Sequence, residues 1–295
     1  MQQLSLLDNT VSRPLDVIVN VASVPQRSPF RYPGGKTWLV PRVRSWLASL
    51  SKMPKTFIEP FAGGGIVSLT AAFEQRAGHV IMVERDPQVA AVWHTILEGD
   101  AAWLAQAITD FEMNEETLTA ALERPAETTR EQAFQTILKN RTYRGGILAP
   151  GAGKIKYGEN GKGILSRWYP GTIRRRILDI GEVRERITFI EGDGLEVSRQ
   201  HASDPSAVFF IDPPYTASTK RAGSRLYLYS EIDHEELFRI AATFNGDFLM
   251  TYDNAEEIHA LAAYYGFDTE LVAMKNTHHA EMTELLIGRN LDWAR

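Results

Sequence analysis

The chain has no cysteine among its 295 residues. This removes disulfides, thiolate metal sites and any thiolate nucleophile. Its seven histidines fall at no metal-ligand spacing, and the neighbours His278 and His279 cannot hold one ion from a helix face, so no metal is expected. No apolar run approaches the roughly 18 residues of a membrane span, and the opening "MQQLSLLDNTVSRPLDVIVN" lacks the basic-then-apolar pattern of a secretory signal. The cytoplasm is the expected address, and no membrane partner is expected. No internal repeat is present. What is present is a 44% hydrophobic composition, enough to bury a full core at this length.

Acids outnumber bases, for a net charge of −5, which at face value argues against nucleic acid. The distribution is uneven, however. Residues 139–186 hold twelve Lys/Arg against four Asp/Glu, a local +8 that leaves −13 for the rest. A basic contact surface on an acidic body gives this asymmetry, and so does chance clustering on a solvated surface; charge alone leaves both open.

Residues 1–27 have weak periodicity and look like a tail or a lightly docked arm. A Gly/Pro turn at 33–35 then opens an amphipathic helix with Leu39, Val43, Trp46, Leu47 and Leu50 at helical spacing. "KTFIEPFAGGGIVSLTAAFEQ" reads as strand (56–58), glycine turn and helix, and "HVIMVERD" as a buried strand ending in acids. Strand, glycine turn, helix, strand is the opening of a doubly wound α/β sheet. Residues 88–140 look helical, and 145–171 turn glycine-rich, basic and aromatic, with loops or hairpins of their own. Strands resume at "ITFIEGD" and "AVFFIDPPY", followed by helices near 233–245 and 255–265, a strand at "DFLMTYD" between them, and final strands at "TELVAMKN" and "TELLIGRN".

"PGGKT" is not a phosphate loop, because G-x-x-x-x-G-K-[ST] needs glycine where Phe30 stands. "FAGGGIVS" is more informative. Glycines after a first strand let the backbone approach a ligand, and Glu84, ending the second strand, can accept hydrogen bonds from ribose hydroxyls. Gly63, Gly65 and Ser68 only approximate the dinucleotide fingerprint, and a tight turn packing helix on sheet would look the same. "IDPPY" narrows the chemistry. An exocyclic amine on a purine has its lone pair delocalised into the ring, so reaction with an electrophilic methyl group needs acceptors for its N–H bonds. Asp212 and the carbonyl of Pro213 supply two, held rigid by the Pro213–Pro214 pair, and Tyr215 offers a face on which an extruded base can stack.

In this order, "FRYPGGK" (30–36), "FIEPFAGGG" (57–65), "MVERD" (82–86), "IDPPY" (211–215) and "LMTYDN" (249–254) resemble the Dam-type, class α, adenine-N6-specific DNA methyltransferases, with "NRTYRGGI", "SRWYPGTIRRRI" and "HHAEMTELLIG" as secondary signatures. The likeness spans roughly residues 28–290. It implies a Rossmann-like sheet that uses S-adenosyl-L-methionine, divided by an inserted, mainly helical target-recognition domain. The division is a tail (1–27), a cofactor-binding half (28–98), the insertion (99–186) and a catalytic half (187–295).

Position by position, the resemblance implies that Phe30, Tyr32 and Lys36 lie at the cofactor and that the backbone of Pro60, Phe61, Gly63 and Gly65 surrounds it. Glu84 would hold the ribose, Asp193 would lie near the adenine, and Asp212 would touch both the methionine end and the target amine. Asp212, Pro213, Pro214 and Tyr215 form the catalytic set. Without the resemblance, Lys36 reads as a helix-start surface lysine and Asp193 as a turn acid before a helix. Arg141, Arg144, Lys154, Lys156 and Arg167 in the insertion, with Lys220, Arg221 and Arg225 in the loop after the tetrad, are the expected DNA contacts, mostly to phosphates. One of Arg174–Arg176 is expected to pair with Asp179 instead, and Trp168 and Tyr169 are expected in the core of the insertion, with a wedge at the flipped base as the alternative. The insertion reads "ILAPGAGKIKYG" where the GATC-reading subgroup has an "FNVPFG"-like run, so the resemblance carries no recognition sequence.

The expectation is therefore methyl transfer to N6 of a flipped-out adenine in duplex DNA, without a metal and without a covalent enzyme intermediate. The protein would act as a monomer or weak dimer in a bacterial or phage setting, with a cognate restriction endonuclease as a possible companion. Cytosine N4, an RNA base, a DNA-binding regulator without turnover and, last, a dinucleotide dehydrogenase are the competing readings.

Overall fold

A computed structural model describes residues 23–32, 34–214, 232–275 and 281–295. Seven strands form one sheet: β1 (Thr56–Glu59), β2 (His79–Glu84), β3 (Ile187–Glu191), β4 (Ala207–Ile211), β5 (Phe248–Asp253), β6 (Asp268–Lys275) and β7 (Glu281–Gly288). Their spatial order is β3-β2-β1-β4-β5-β7-β6. The first five run parallel, and β7 is antiparallel to both β5 and β6.

The described helices are α1 (Val40–Ser49), α2 (Ile66–Phe73), α3 (Pro87–Thr95), α4 (Ala101–Asp110), α5 (Glu115–Glu123), α6 (Thr129–Thr142), α7 (Pro170–Glu182), α8 (Gly194–His201), α9 (His234–Ala242) and α10 (Glu256–Tyr264). Their starts follow from local chemistry. Asp86 caps α3 ahead of Pro87, and Asn114/Thr117 and Thr128/Glu131 form reciprocal capping boxes on α5 and α6.

Parallel strands with helices on both faces must be apolar throughout, and β4, "AVFFI", is buried at every position. Alternation then divides each strand between two cores. Phe57, Met82, Val208, Phe210 and Leu249 pack with α1–α3, whereas Ile58, Ile81, Phe209, Ile211 and Met250 pack with α8–α10. This is the doubly wound, Rossmann-like sheet that the sequence predicts.

The segment 99–186 is mainly helical but has no core of its own. A single π-helical turn, Ile96–Asp100, joins α3 to α4, and Leu104, Ile108, Leu118, Ile137, Ile173 and Ile177 continue the cluster that covers one face of the sheet. Its glycine-rich part, 144–167, consists of 3-10 turns and one bridge, Tyr143 to Lys154, rather than hairpins. Trp168 is buried edge-on against Phe111, whereas its neighbour Tyr169 is exposed and does not join the core as expected. The arm is firmly docked where it is described: Val24 is buried, and Arg27 lies over the Phe73 ring and pairs with Glu74.

Candidate active site

In an open parallel sheet the strand order reverses at one point, and the crevice beyond the carboxyl ends of the strands there is the natural ligand site. Here the reversal lies between β1 and β4. The sequence places an acid at each neighbouring strand end: Glu59 closes β1, Glu84 closes β2, Asp212 follows β4 and Asp253 closes β5. A cavity of about 550 Å³ opens at this point, and Glu59, Glu84, Asp193 and Asp212 are on its wall.

Glu84 is hemmed in by protein except where it meets the cavity. One carboxylate oxygen accepts from the Gly63 amide at 2.9 Å, and the other from the Arg85 and Asp86 amides at 2.7 and 2.8 Å. Burial nevertheless pushes its carboxyl up to about 6, against the pull of those amides. Gly63 has φ +47°, and a Cβ there would lie 2.5 Å from the Tyr32 ring, so this glycine seats Tyr32 as well as Glu84. It is not on the cavity wall, as the sequence reading expects; Pro60, Phe61, Ala62, Gly64 and Gly65 are. Trp93 fixes the turn from below by donating its indole N–H to the Gly63 carbonyl at 3.0 Å. Phe30 and Tyr32 reach the cavity edge-to-face with each other, with Phe30 tilted on Trp93.

Lys36 is not a surface lysine. It is buried, and its ammonium lies 2.8 Å from Asp212 Oδ1 and 3.1 Å from Glu284 Oε1. Thr251 Oγ1 donates to the same Oδ1 at 2.9 Å. Two donors thus converge on one oxygen of Asp212, and no described residue hydrogen-bonds to the other, Oδ2. Pro213 and Pro214 continue along the cavity wall. Asp193 caps α8 by accepting from the Leu195 amide at 2.8 Å, and it also lines the cavity.

Three contributors escape the sequence reading. Glu59 is buried at the cavity wall, accepts from the Ser68 amide at 2.8 Å, and is pushed up to about 8 by burial and by the neighbouring Asp212 and Glu84 carboxylates. Thr251 and Glu284 brace Asp212 and Lys36 from β5 and β7, paired strands in which Glu284 stands opposite Asp253. The available signal was repetition: "FIE", "MVE" and "FFID" each run a buried strand into an acid.

The expected DNA contacts divide. Arg144 and Lys156 are exposed, and Arg167 is partly exposed and ion-paired to Glu159. Lys154 is turned onto α5, where it meets Glu115 and Thr119. Arg141 departs from expectation. It is buried with its guanidinium donating to the Pro29 carbonyl, because α6 packs against the 28–31 segment and leaves this residue facing inward. Arg176 donates to the Ser28 carbonyl at 3.0 Å, and among the described residues no ion pair joins Arg174–Arg176 to Asp179. Tyr215, Lys220, Arg221 and Arg225 lie outside the described residues.

No curated protein matches the chain. Among solved structures, a putative RNA methyltransferase from Pyrococcus horikoshii is similar at 11% identity and TM-score 0.41, covering 91% of this chain and 92% of its own. The rRNA methyltransferase AviRa from Streptomyces viridochromogenes is similar at 16% identity and TM-score 0.36, over 88% and 86%. A precorrin-6y C5,15-methyltransferase from Geobacter metallireducens GS-15 is similar at 12% identity and TM-score 0.36, over 85% and 86%. At such scores these likenesses say nothing of this chain's substrate.

The site fits S-adenosyl-L-methionine: a strand-end carboxylate with an edge on the cavity for the ribose, a backbone turn without side chains at Gly64 and Gly65, and an acidic floor suited to a cationic sulfonium. The protein is a methyltransferase that uses this cofactor, and over residues 32–138 it carries the signature of the D12 class N6 adenine-specific DNA methyltransferase family.

Proposed function

We propose that the enzyme methylates N6 of adenine in duplex DNA, with the target base extruded into the cavity beside Asp212. The observation that carries this reading is the one-sided engagement of Asp212. With Oδ1 held by Lys36 and Thr251, the carboxylate cannot rotate away, and Oδ2 is left to accept an amino N–H. The Pro213 carbonyl is the second acceptor for the same amine, on a backbone whose φ is fixed by the proline ring. Two acceptors on one –NH₂ favour the pyramidal nitrogen that develops in the transition state over the planar, conjugated one. When bound, S-adenosyl-L-methionine supplies a sulfonium methyl group as the electrophile. Glu84 holds the ribose, and the backbone from Pro60 to Gly65, with Tyr32 and Phe30, fixes the rest of the cofactor. The family signature supports the adenine and DNA assignments, and the exposed Arg144, Lys156, Arg174 and Arg175 of the 99–186 segment give a duplex a basic surface to rest on. That segment is accordingly proposed as the target-recognition unit.

The test is incubation with methyl-labelled cofactor and unmethylated genomic DNA, followed by nucleoside analysis. N6-methyladenine at a short recurring sequence is the expected product. N4-methylcytosine would move the reaction to another base, and label entering only RNA would move it to another polymer.

A further inference from the structure

Beyond the strand-end acids, the cavity has a rim of opposite character. Arg31 and Arg176 line it together with Gly146 and Leu148. Arg141 stands behind them, buried, and Arg167 stands close enough for its charge to act on both Arg31 and Arg141. The fold assembles this group deliberately. Asn140 clamps the Arg31 backbone, accepting from its amide and donating to its carbonyl at 2.9 Å each. Gly146 packs so tightly on Arg31 that a Cβ would lie 2.1 Å from its carbonyl oxygen. Arg176 and Arg141 are tied to the carbonyls of Ser28 and Pro29 just before it.

Among the described residues only Arg167 of these four is ion-paired to a carboxylate, Glu159, whose charge also reaches Arg31. Among the described residues Arg31, Arg141 and Arg176 have no such pair, and two of their buried nitrogens, Arg31 Nη1 and Arg141 Nε, have no hydrogen-bond acceptor. Burial, then the repulsion of Arg176, Arg31 and Arg167, pulls Arg141 down to about 9. Half-buried like charges that outnumber their counter-charges are unfavourable, and an anion placed among them relieves the conflict. Arginine forks match the paired oxygens of a phosphate.

We infer that Arg31 and Arg176, backed by Arg141, form a binding site for a backbone phosphodiester of the DNA strand whose base enters the cavity. The inference rests on the DNA reading above. The site shares a cavity with Asp212, so it would grip the strand beside the reacting base rather than at a distance, holding the backbone while the base is out of the stack. The other anion to be considered is the cofactor's own carboxylate, and the experiment separates the two.

Duplex binding is measured across a salt series, with cofactor affinity measured in parallel, for the wild type, Arg31→Gln, the double variant Arg31→Gln/Arg176→Gln, and Arg31→Lys/Arg176→Lys. Arg31→Gln is the safe variant for folding, since the Arg31 side chain makes no hydrogen bond to any described residue. The double Gln variant should bind DNA roughly ten- to hundredfold more weakly. Its log–log salt slope should be shallower by about one, and that of Arg31→Gln by about half as much. The Lys pair should restore the slope, and cofactor affinity should stay within about twofold. An unchanged slope in folded Arg31→Gln and double variants overturns the site. Lost cofactor affinity with an intact slope reassigns the arginines to the cofactor carboxylate. A wild type that binds no duplex overturns the DNA reading itself, and this inference with it.

Discussion

The floor and the rim of the cavity are built from opposite residue types, carboxyl groups and guanidiniums, by opposite means. On the floor, Glu59, Glu84 and Asp212 each end or follow a central parallel strand and are satisfied by the protein: backbone amides for the two glutamates, Lys36 and Thr251 for Asp212. On the rim, Arg31, Arg141 and Arg176 come from a docked segment and two helices and have no ion-paired carboxylate among the described residues. A floor whose acids are fixed before any ligand arrives is pre-organised, which is what a transition state needs of its acceptors. A rim with unmatched positive charge is suited to attraction, which is what a polyanion needs of its contact surface. Chemistry and grip are thus separable in this molecule, and substitutions on the two sides should fail differently.

The largest expected effect is on the floor. Asp212→Ala should lower methyl transfer by about 10³-fold or more, the scale of losing a dedicated transition-state hydrogen-bonding group. It should leave circular dichroism and duplex binding near wild type, because Lys36 keeps Glu284. Turnover within tenfold of wild type would refute the acceptor role. Thr251→Val keeps the side-chain shape and removes one donor from Asp212 Oδ1. A loss of about tenfold in the single-turnover rate, with cofactor affinity unchanged, is expected. If cofactor affinity falls instead, Thr251 shapes the cofactor pocket and does not brace Asp212.

Next come the buried glutamates. Glu84 takes three amide N–H groups on its two oxygens, so Glu84→Gln must turn its own –NH₂ towards at least one of them. A cost of about 1–3 kcal/mol in cofactor binding is expected by calorimetry. Because the Glu84 carboxyl is pushed up to about 6, wild-type cofactor affinity should also weaken as the pH falls through 6. Glu59 acts on stability with the opposite pH sense. Its folded carboxyl holds a proton up to about 8, against an ordinary value near 4.5. Between these values the native state binds more protons than the unfolded chain, so stability falls as pH rises. The ligand-free melting temperature should drop by several degrees from pH 5 to pH 8, and Glu59→Gln should flatten most of that slope. A wild-type curve rising over this range would show that Glu59 is ionised in place.

The floor was more legible in sequence than the rim, for a physical reason. Strand-end acids follow from a continuous apolar run that stops at a polar residue, and "FIE", "MVE" and "FFIDPP" show this locally. Glu84 and Asp212 are legible that way; Glu59 carries the same signal, but the glycine turn that follows it draws the reading to Pro60–Gly65. Thr251 and Glu284 were not legible, since only the pairing of β5 with β7 brings those side chains to the site. On the rim, a lysine or arginine in a loop gives no local indication of whether it faces water. Arg141 faces inward because α6 lies on residues 28–31, more than a hundred positions earlier in the chain. The glycine turn carries a demand that sequence alone does not show: Gly63 is required by the Tyr32 ring and by Glu84.

The smallest expected effect tests whether the basic segment is uniformly a grip. Lys154 and Lys156 are two residues apart and of one charge, so a reading by sequence makes them equal. Lys156 is exposed, whereas Lys154 spends its ammonium on Glu115 and Thr119. To contact a phosphate, Lys154 must first give up that ion pair, which partly cancels the gain, as surface pairs are worth about 0–1 kcal/mol. Lys156→Ala should therefore reduce the salt slope of duplex binding by up to about one, uniformly across sequences, and Lys154→Ala by clearly less. Glu115→Gln should then release Lys154 and tighten duplex binding slightly. Equal losses for the two lysines would show that the ion pair opens freely when DNA arrives, and that Lys154 is as available to a phosphate as Lys156.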